Sequence, residues 1–175
     1  MNFSPLKIKE SGLFIDPVFR DARGAFEVFW EFVDFEKAGF AFHPISSHHS
    51  YNTLKGTLRG MHYQSFPHYQ SKLVSCISGA VYDVMVDMRA DSPTYLKWEA
   101  VELSAGCGKS ILIPAGCAHG FVTLEENTTI AYLIEGTYKP EAAATVRWND
   151  PLVGIQWPVT DPILSDRDRN APDFI

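Results

Sequence analysis

The sequence predicts an all-β fold, a sandwich or barrel of antiparallel strands with short peripheral helices, and two observations carry that reading. Short apolar runs rich in Val, Ile, Phe, Tyr and Thr recur along the 175 residues, with turn signals between them. Where the alternation is clearest, in Gly79–Met88, the residues Tyr82, Val84, Val86 and Met88 take one face while Asp83 and Asp87 take the other. With 46% hydrophobic and 13% aromatic residues, the chain is expected to form one domain spanning 1–175 around a substantial core.

In chain order, strands are expected over 13–19, 25–32, 43–51, 56–62, 71–78, 80–89, 97–103, 109–113, 118–124 and 128–135. The one early helix is 34–39, where Asp34 is placed to cap the start and Gly39 to stop it. After Tyr138 the chain turns richer in Pro, Asp and Arg, and the tail 162–172 is expected to pack over the barrel as helical turns or loop. No linker, repeat or low-complexity tract divides the sequence.

Charge narrows the partners. Lys and Arg number 15 against 21 Asp and Glu, a net charge of −6, so the overall field repels nucleic acid and anionic membrane surfaces. A small anionic ligand therefore requires a local basic pocket. Three cysteines, Cys76, Cys107 and Cys117, lack C-x-x-C spacing and read as core fillers in a reducing cytoplasm rather than a disulfide framework or zinc site. The start MNFSPLKIKESG has no apolar stretch behind its charges, and no run approaches the roughly 20 apolar residues of a membrane span. Neither targeting nor anchoring is expected.

Two segments carry the chemistry. In Leu58-Arg59-Gly60-Met61-His62-Tyr63-Gln64, Arg59 and His62 are three residues apart and cannot share a face of a regular strand. Gly60 permits a bulge that would swing one of them inward, and bulges are common beside active sites. Downstream, Ile113-Pro114-Ala115-Gly116-Cys117-Ala118-His119-Gly120-Phe121 is a turn entering a strand, with His119 at its mouth. From the residues alone, His62 remains open between a hydrogen-bonded core histidine, a metal ligand and a catalytic base. Tyr132 reads as a core aromatic with its hydroxyl at the rim, and Asp168 as part of a surface charge run. His43, His48 and His49 read as loop or surface residues.

Six motifs in order change the balance. LRGMHYQ, Ser71-Lys72-Leu73-Val74, the stretch from Val84 to Thr94, IPAGCAHGF, Trp148-Asn149-Asp150-Pro151 and ILSDRD together resemble the nucleotide-sugar epimerases that make dTDP-4-dehydrorhamnose, from about Gly12 to Pro172. The resemblance implies a cupin-like jelly-roll barrel in a homodimer, working without metal or cofactor. It also implies the reaction: inversion of C3 and C5 in a nucleoside-diphosphate 4-keto-6-deoxy sugar.

By that resemblance His62 is the base, oriented by Asp168, Tyr132 is the proton donor, and Lys72 stabilises the enolate oxygen. Arg23, Arg59 and Arg167 fall on contacts to the diphosphate, and His119, Tyr138 and Gln64 on further substrate contacts. The chemistry calls for this set. A proton alpha to a ketone is weakly acidic, so a base must remove it while a cation holds the charge growing on O4. Histidine suits that task, with an unperturbed pKa of about 6.5. An acid on the opposite sugar face then returns a proton, and inversion follows.

Three departures leave the sugar and nucleotide open. Val28 stands where the family carries a glutamate, with Glu27 one residue away on the other strand face. Ala143 replaces a second glutamate, and Ser47-His48-His49 replaces Gln-Asp-Asn. An enzyme acting at C3 only, or on another nucleotide sugar, is therefore the nearest alternative. A metal-dependent cupin enzyme is more distant, because His62-Tyr63-Gln64 stands where a metal-binding H-x-H pair is expected. A non-catalytic sugar-nucleotide binder leaves the His62, Lys72 and Tyr132 set without a purpose.

Overall fold

Period-2 alternation becomes two facing antiparallel sheets in the computed structural model, which describes residues 2–174. The elements begin with β1 (Asn2–Pro5), β2 (Gly12–Ile15), β3 (Phe19–Asp21), β4 (Gly24–Phe26), α1 (Phe32–Lys37) and β5 (Ser46–Asn52). The central strands are β6 (Leu58–Gln64), β7 (Ser71–Ser78), β8 (Ala80–Asp87), β9 (Trp98–Ser104) and β10 (Lys109–Ile113). Then follow β11 (Cys117–Thr123), β12 (Thr128–Glu135), β13 (Ala143–Thr145) and α2 (Asp166–Arg169). One sheet runs β1-β2-β10-β7-β12-β5 and the other β13-β6-β11-β8-β9, while β3 and β4 form a separate hairpin. This is the jelly-roll barrel that the sequence predicts.

Both faces of each sheet are used. Between the sheets, Val74, Cys76, Val81, Met85, Leu103, Ile111, Ile113, Phe121 and Ile130 form a closed core, plugged by Ile8 from the N-terminal loop. Val84 and Val86 of β8 point the other way, where Val153, Ile155 and Trp157 from the C-terminal segment cover them. On the outside of the first sheet, Phe14, Leu73 and Leu112 are covered by Phe35 and Phe42, and Phe35 stacks on Phe14 at 4.1 Å between ring centroids. Each such fully buried side chain contributes roughly 1.5–3 kcal/mol.

The polar face of β8 turns inward. Asp83 and Asp87 are fully buried, and each is partnered. Asp87 accepts from Arg89 Nε at 2.8 Å, Ser92 Oγ at 2.5 Å and Thr94 Oγ1 at 2.6 Å. Burial alone would raise its pKa, but these bonds hold the carboxyl well below the usual carboxylate range.

Several boundaries differ from expectation for local reasons. The run 13–19 divides into β2 and β3 because Pro17 has no N–H for a ladder. The run 25–32 keeps only β4 as strand, and Phe29 and Trp30 pack on the outer aromatic cluster instead. Helix α1 starts two residues before Asp34, with Glu31 at the N-cap making no side-chain bond. Gly39, at φ +84°, follows the helix end as the sequence predicts. No helix among the described residues is long and apolar enough to cross a membrane.

Candidate active site

Strand β6 solves the face problem of its own sequence. His62 pairs with His119 and Arg59 with Phe121, so three steps on β6 oppose two on β11, and the extra residue is a bulge at Gly60 and Met61. Gly60 has φ +139°, and a Cβ there would lie 2.5 Å from Gly120 Cα. With the bulge, Arg59 and His62 both reach one cavity.

That cavity, about 540 Å³, is lined from both sheets. From the sheet of β6 and β11 come Arg59, His62, His119 and Phe121, and from the facing sheet come Lys72, Tyr132, Ile134 and the β5 residues His48, His49, Ser50 and Tyr51. Ser165, Arg167 and Asp168 close it from the tail. Arg59, Lys72 and Arg167 give the acidic protein the local basic pocket that its charge demands.

Two of the cavity's histidines, His62 and His119, are each oriented by a carboxylate. His62 Nε2 lies 2.6 Å from Asp168 Oδ1. Asp168 is 3% exposed, and its backbone N–H donates to Ser165 Oγ at the N-cap of α2. Burial works to raise the Asp168 pKa, but hydrogen bonding and charge from His62, with further help from Ser165 and the Gly60 backbone, hold it below the ordinary value. His119 Nε2 lies 3.0 and 2.9 Å from the two oxygens of Asp83. Its ring meets that of Tyr132 edge-on at 6.0 Å.

The facing sheet supplies the other polarity. Burial lowers Lys72 to about 8, with the Asp83 charge acting against it. Burial, reinforced by Asp83, pushes the Tyr132 phenol up, while Arg59 and a hydrogen bond with Ser50 pull the other way. Tyr132 thus stays a protonated acid throughout the neutral range. Arg59 Nε donates to Asn52 Oδ1 at 2.7 Å, and Arg167 to Thr145 Oγ1 at 3.0 Å. The arrangement offers a carboxylate-oriented imidazole, a cation and a phenol around one space, which suits proton transfer at carbon. His62 and His119 are each turned onto an aspartate, and no group of three or more His, Cys, Asp or Glu side chains among the described residues is placed to hold a metal ion.

The profile of the dTDP-4-dehydrorhamnose 3,5-epimerase family matches residues 5–175. The chain belongs to the dTDP-4-dehydrorhamnose 3,5-epimerase family. The enzyme of that name from Shigella flexneri is 40% identical over 176 residues, covering 100% of this chain and 97% of its own. The crystal structure of the Bacillus anthracis enzyme, with TDP and pyrophosphate bound, superimposes with a TM-score of 0.95 at 38% identity, covering 99% of both chains. The Legionella pneumophila dTDP-6-deoxy-D-glucose-3,5-epimerase, in complex with dTDP-4-keto-L-rhamnose, does so with a TM-score of 0.91 at 35% identity, covering 97% of this chain and 90% of its own.

Within this member of the epimerase family, seven of the expected site residues meet at the cavity: His62, Lys72, Tyr132, Asp168, Arg59, Arg167 and His119. Three do not. Arg23 sits at the tip of the β3–β4 hairpin, with its side chain 90% exposed and paired to Asp21 at 2.6 Å. Tyr138 borders a smaller side cavity that shares His62, Lys72 and Arg167 with the main one. Gln64 reaches that side cavity too, but its amide is engaged with backbone rather than free for a ligand.

Other partners escape a reading by motif. Asp83 was visible only as half of a polar face on β8, and its bond to His119 needs the register of β8 with β11. Asn52 holds Arg59 from β5. Ser165, three residues before Asp168, is a helix-cap spacing that the sequence does display. His48 and His49 are exposed, as expected, and also line the cavity, because β5 pairs with β12 and sets His48 opposite Tyr132.

Proposed function

We propose that this protein inverts C3 and C5 of dTDP-4-dehydro-6-deoxy-D-glucose, giving dTDP-4-dehydro-L-rhamnose. One observation carries the reading: His62 and Tyr132 stand on facing sheets of one barrel, with Lys72 beside them at the same cavity. A sugar between them has a base on one side and an acid on the other. His62, steadied by Asp168, takes the proton alpha to the ketone. Lys72 holds the charge that develops on O4, and Tyr132 returns a proton to the opposite face. Arg59 and Arg167 suit the diphosphate through paired guanidinium bonds.

A homodimer in the cytoplasm completes the proposal. Phe19 and Phe26 of the β3–β4 hairpin are 62% and 66% exposed, a surface suited to a second copy. On that hairpin Arg23 would serve the substrate of the neighbouring subunit rather than its own. No cofactor enters these steps.

The test is incubation in deuterium oxide with a panel of nucleoside-diphosphate 4-keto-6-deoxy sugars, followed by mass spectrometry. Two deuterons gained per dTDP-linked sugar are expected. One would mark a single-site enzyme, and none on any sugar would sink the epimerase reading.

A further inference from the structure

Gln64 ends β6 two residues after His62 and is 5% exposed. Its side-chain amide donates to His68 O at 2.6 Å and to Thr137 O at 3.1 Å. Its Oε1 accepts from the Lys139 N–H at 2.6 Å. Thr137 and Lys139 are the two chain neighbours of Tyr138, so one amide grips the backbone on both sides of that tyrosine. Both N–H donors are occupied, which removes Gln64 as a hydrogen-bond donor to substrate.

Tyr138 itself is 58% exposed and borders the side cavity of about 180 Å³ that opens on His62, Lys72 and Arg167. A half-exposed ring has little packing of its own to fix it. Its place beside His62 is set by its backbone, and that backbone is tied to the strand carrying His62.

We propose that Gln64 is a positioning residue of the reaction, holding Tyr138 as a wall of the substrate site beside His62. The inference rests on the epimerase reading of the site. The glutamine amide suits the task because it donates to one carbonyl and accepts from one N–H while carrying no charge. Leucine fills a similar volume and does neither, and ionised glutamate accepts without donating.

Steady-state kinetics on dTDP-4-dehydro-6-deoxy-D-glucose reads the proposal. Gln64→Leu should raise KM about tenfold, because a loosened segment must be ordered on binding. Its kcat should stay within about twofold, since His62, Lys72 and Tyr132 are untouched. Tyr138→Ala should raise KM comparably, and the double variant should match Tyr138→Ala alone, as expected when one residue acts through the other. Should the leucine variant fail to fold, Gln64→Glu keeps the shape and the bond from Lys139, and an intermediate KM is expected. An unchanged KM in either Gln64 variant or in Tyr138→Ala, or effects that multiply in the double variant, would overturn the inference. Normal wild-type turnover in those experiments separates that failure from a failure of the epimerase reading, in which wild-type protein shows no turnover and both fall.

Discussion

Asp168 Oδ1 lies 2.6 Å from His62 Nε2 across 106 residues of sequence, so the tail α2 turn and strand β6 complete one dyad. Asp168→Asn keeps the shape and removes the charge that orients the imidazole. Deuterium wash-in should fall about 100-fold, and His62→Asn should lower it about 1,000-fold or more, with dTDP affinity nearly unchanged by calorimetry. Wash-in at the wild-type rate in the His62 variant would remove it as base.

The same dyad has a stability signature. The Asp168 pKa is lowered in the fold, so the unfolded chain binds its proton first as pH falls. Its contribution is present above the ordinary carboxyl pKa of about 3.9 and is lost as pH drops through the lower folded value. The difference in urea midpoint between wild type and Asp168→Asn should therefore narrow as pH is lowered from 6 to 3.

Lys72 should set an alkaline limit on the rate. Burial brings it to about 8, so raising pH through that value strips the cation proposed to hold the enolate oxygen. The logarithm of kcat/KM is expected to decline above pH 8. Lys72→Gln should lose about 100-fold or more in kcat and show no such decline. A wild-type profile flat to pH 10 would contradict this assignment.

Tyr132→Phe should separate abstraction from return. Its phenol is raised by burial, so it remains an acid at every pH where the enzyme is assayed. Without it, the alpha carbon should still exchange with solvent through His62, while the inverted product falls about 100-fold. Nuclear magnetic resonance of the sugar protons distinguishes exchange from inversion.

Gly60→Ala tests the bulge. The added Cβ meets Gly120 at 2.5 Å, and φ +139° suits no side chain. A loss of about 2 kcal/mol or more in urea unfolding is expected, together with lost activity as Arg59 and His62 leave their shared face. Wild-type stability in this variant would mean that β6 and β11 part easily.

What the sequence determined by itself was the local physics. Alternation in Ala80–Asp87 and the turn-bounded apolar runs made an antiparallel sandwich or barrel the economical fold, the family resemblance implied its jelly-roll form, and LRGMHYQ offered Gly60 as the place where a bulge could interrupt the strand. The resemblance carried by the ordered motifs then pointed to His62, Lys72, Tyr132 and Asp168 as the expected catalytic set. Tertiary structure decided everything that depends on which strand lies beside which. The pairing of β8 with β11 gave Asp83 to His119, the pairing of β12 with β5 brought His48 into the cavity, and the return of the tail over β6 set Asp168 on His62. It also set the Gln64 amide on the backbone of His68, Thr137 and Lys139, and left Arg23 outside on its hairpin. Side-chain alternation is written in each strand, but register and long-range closure arise only when separate segments bury their apolar faces together.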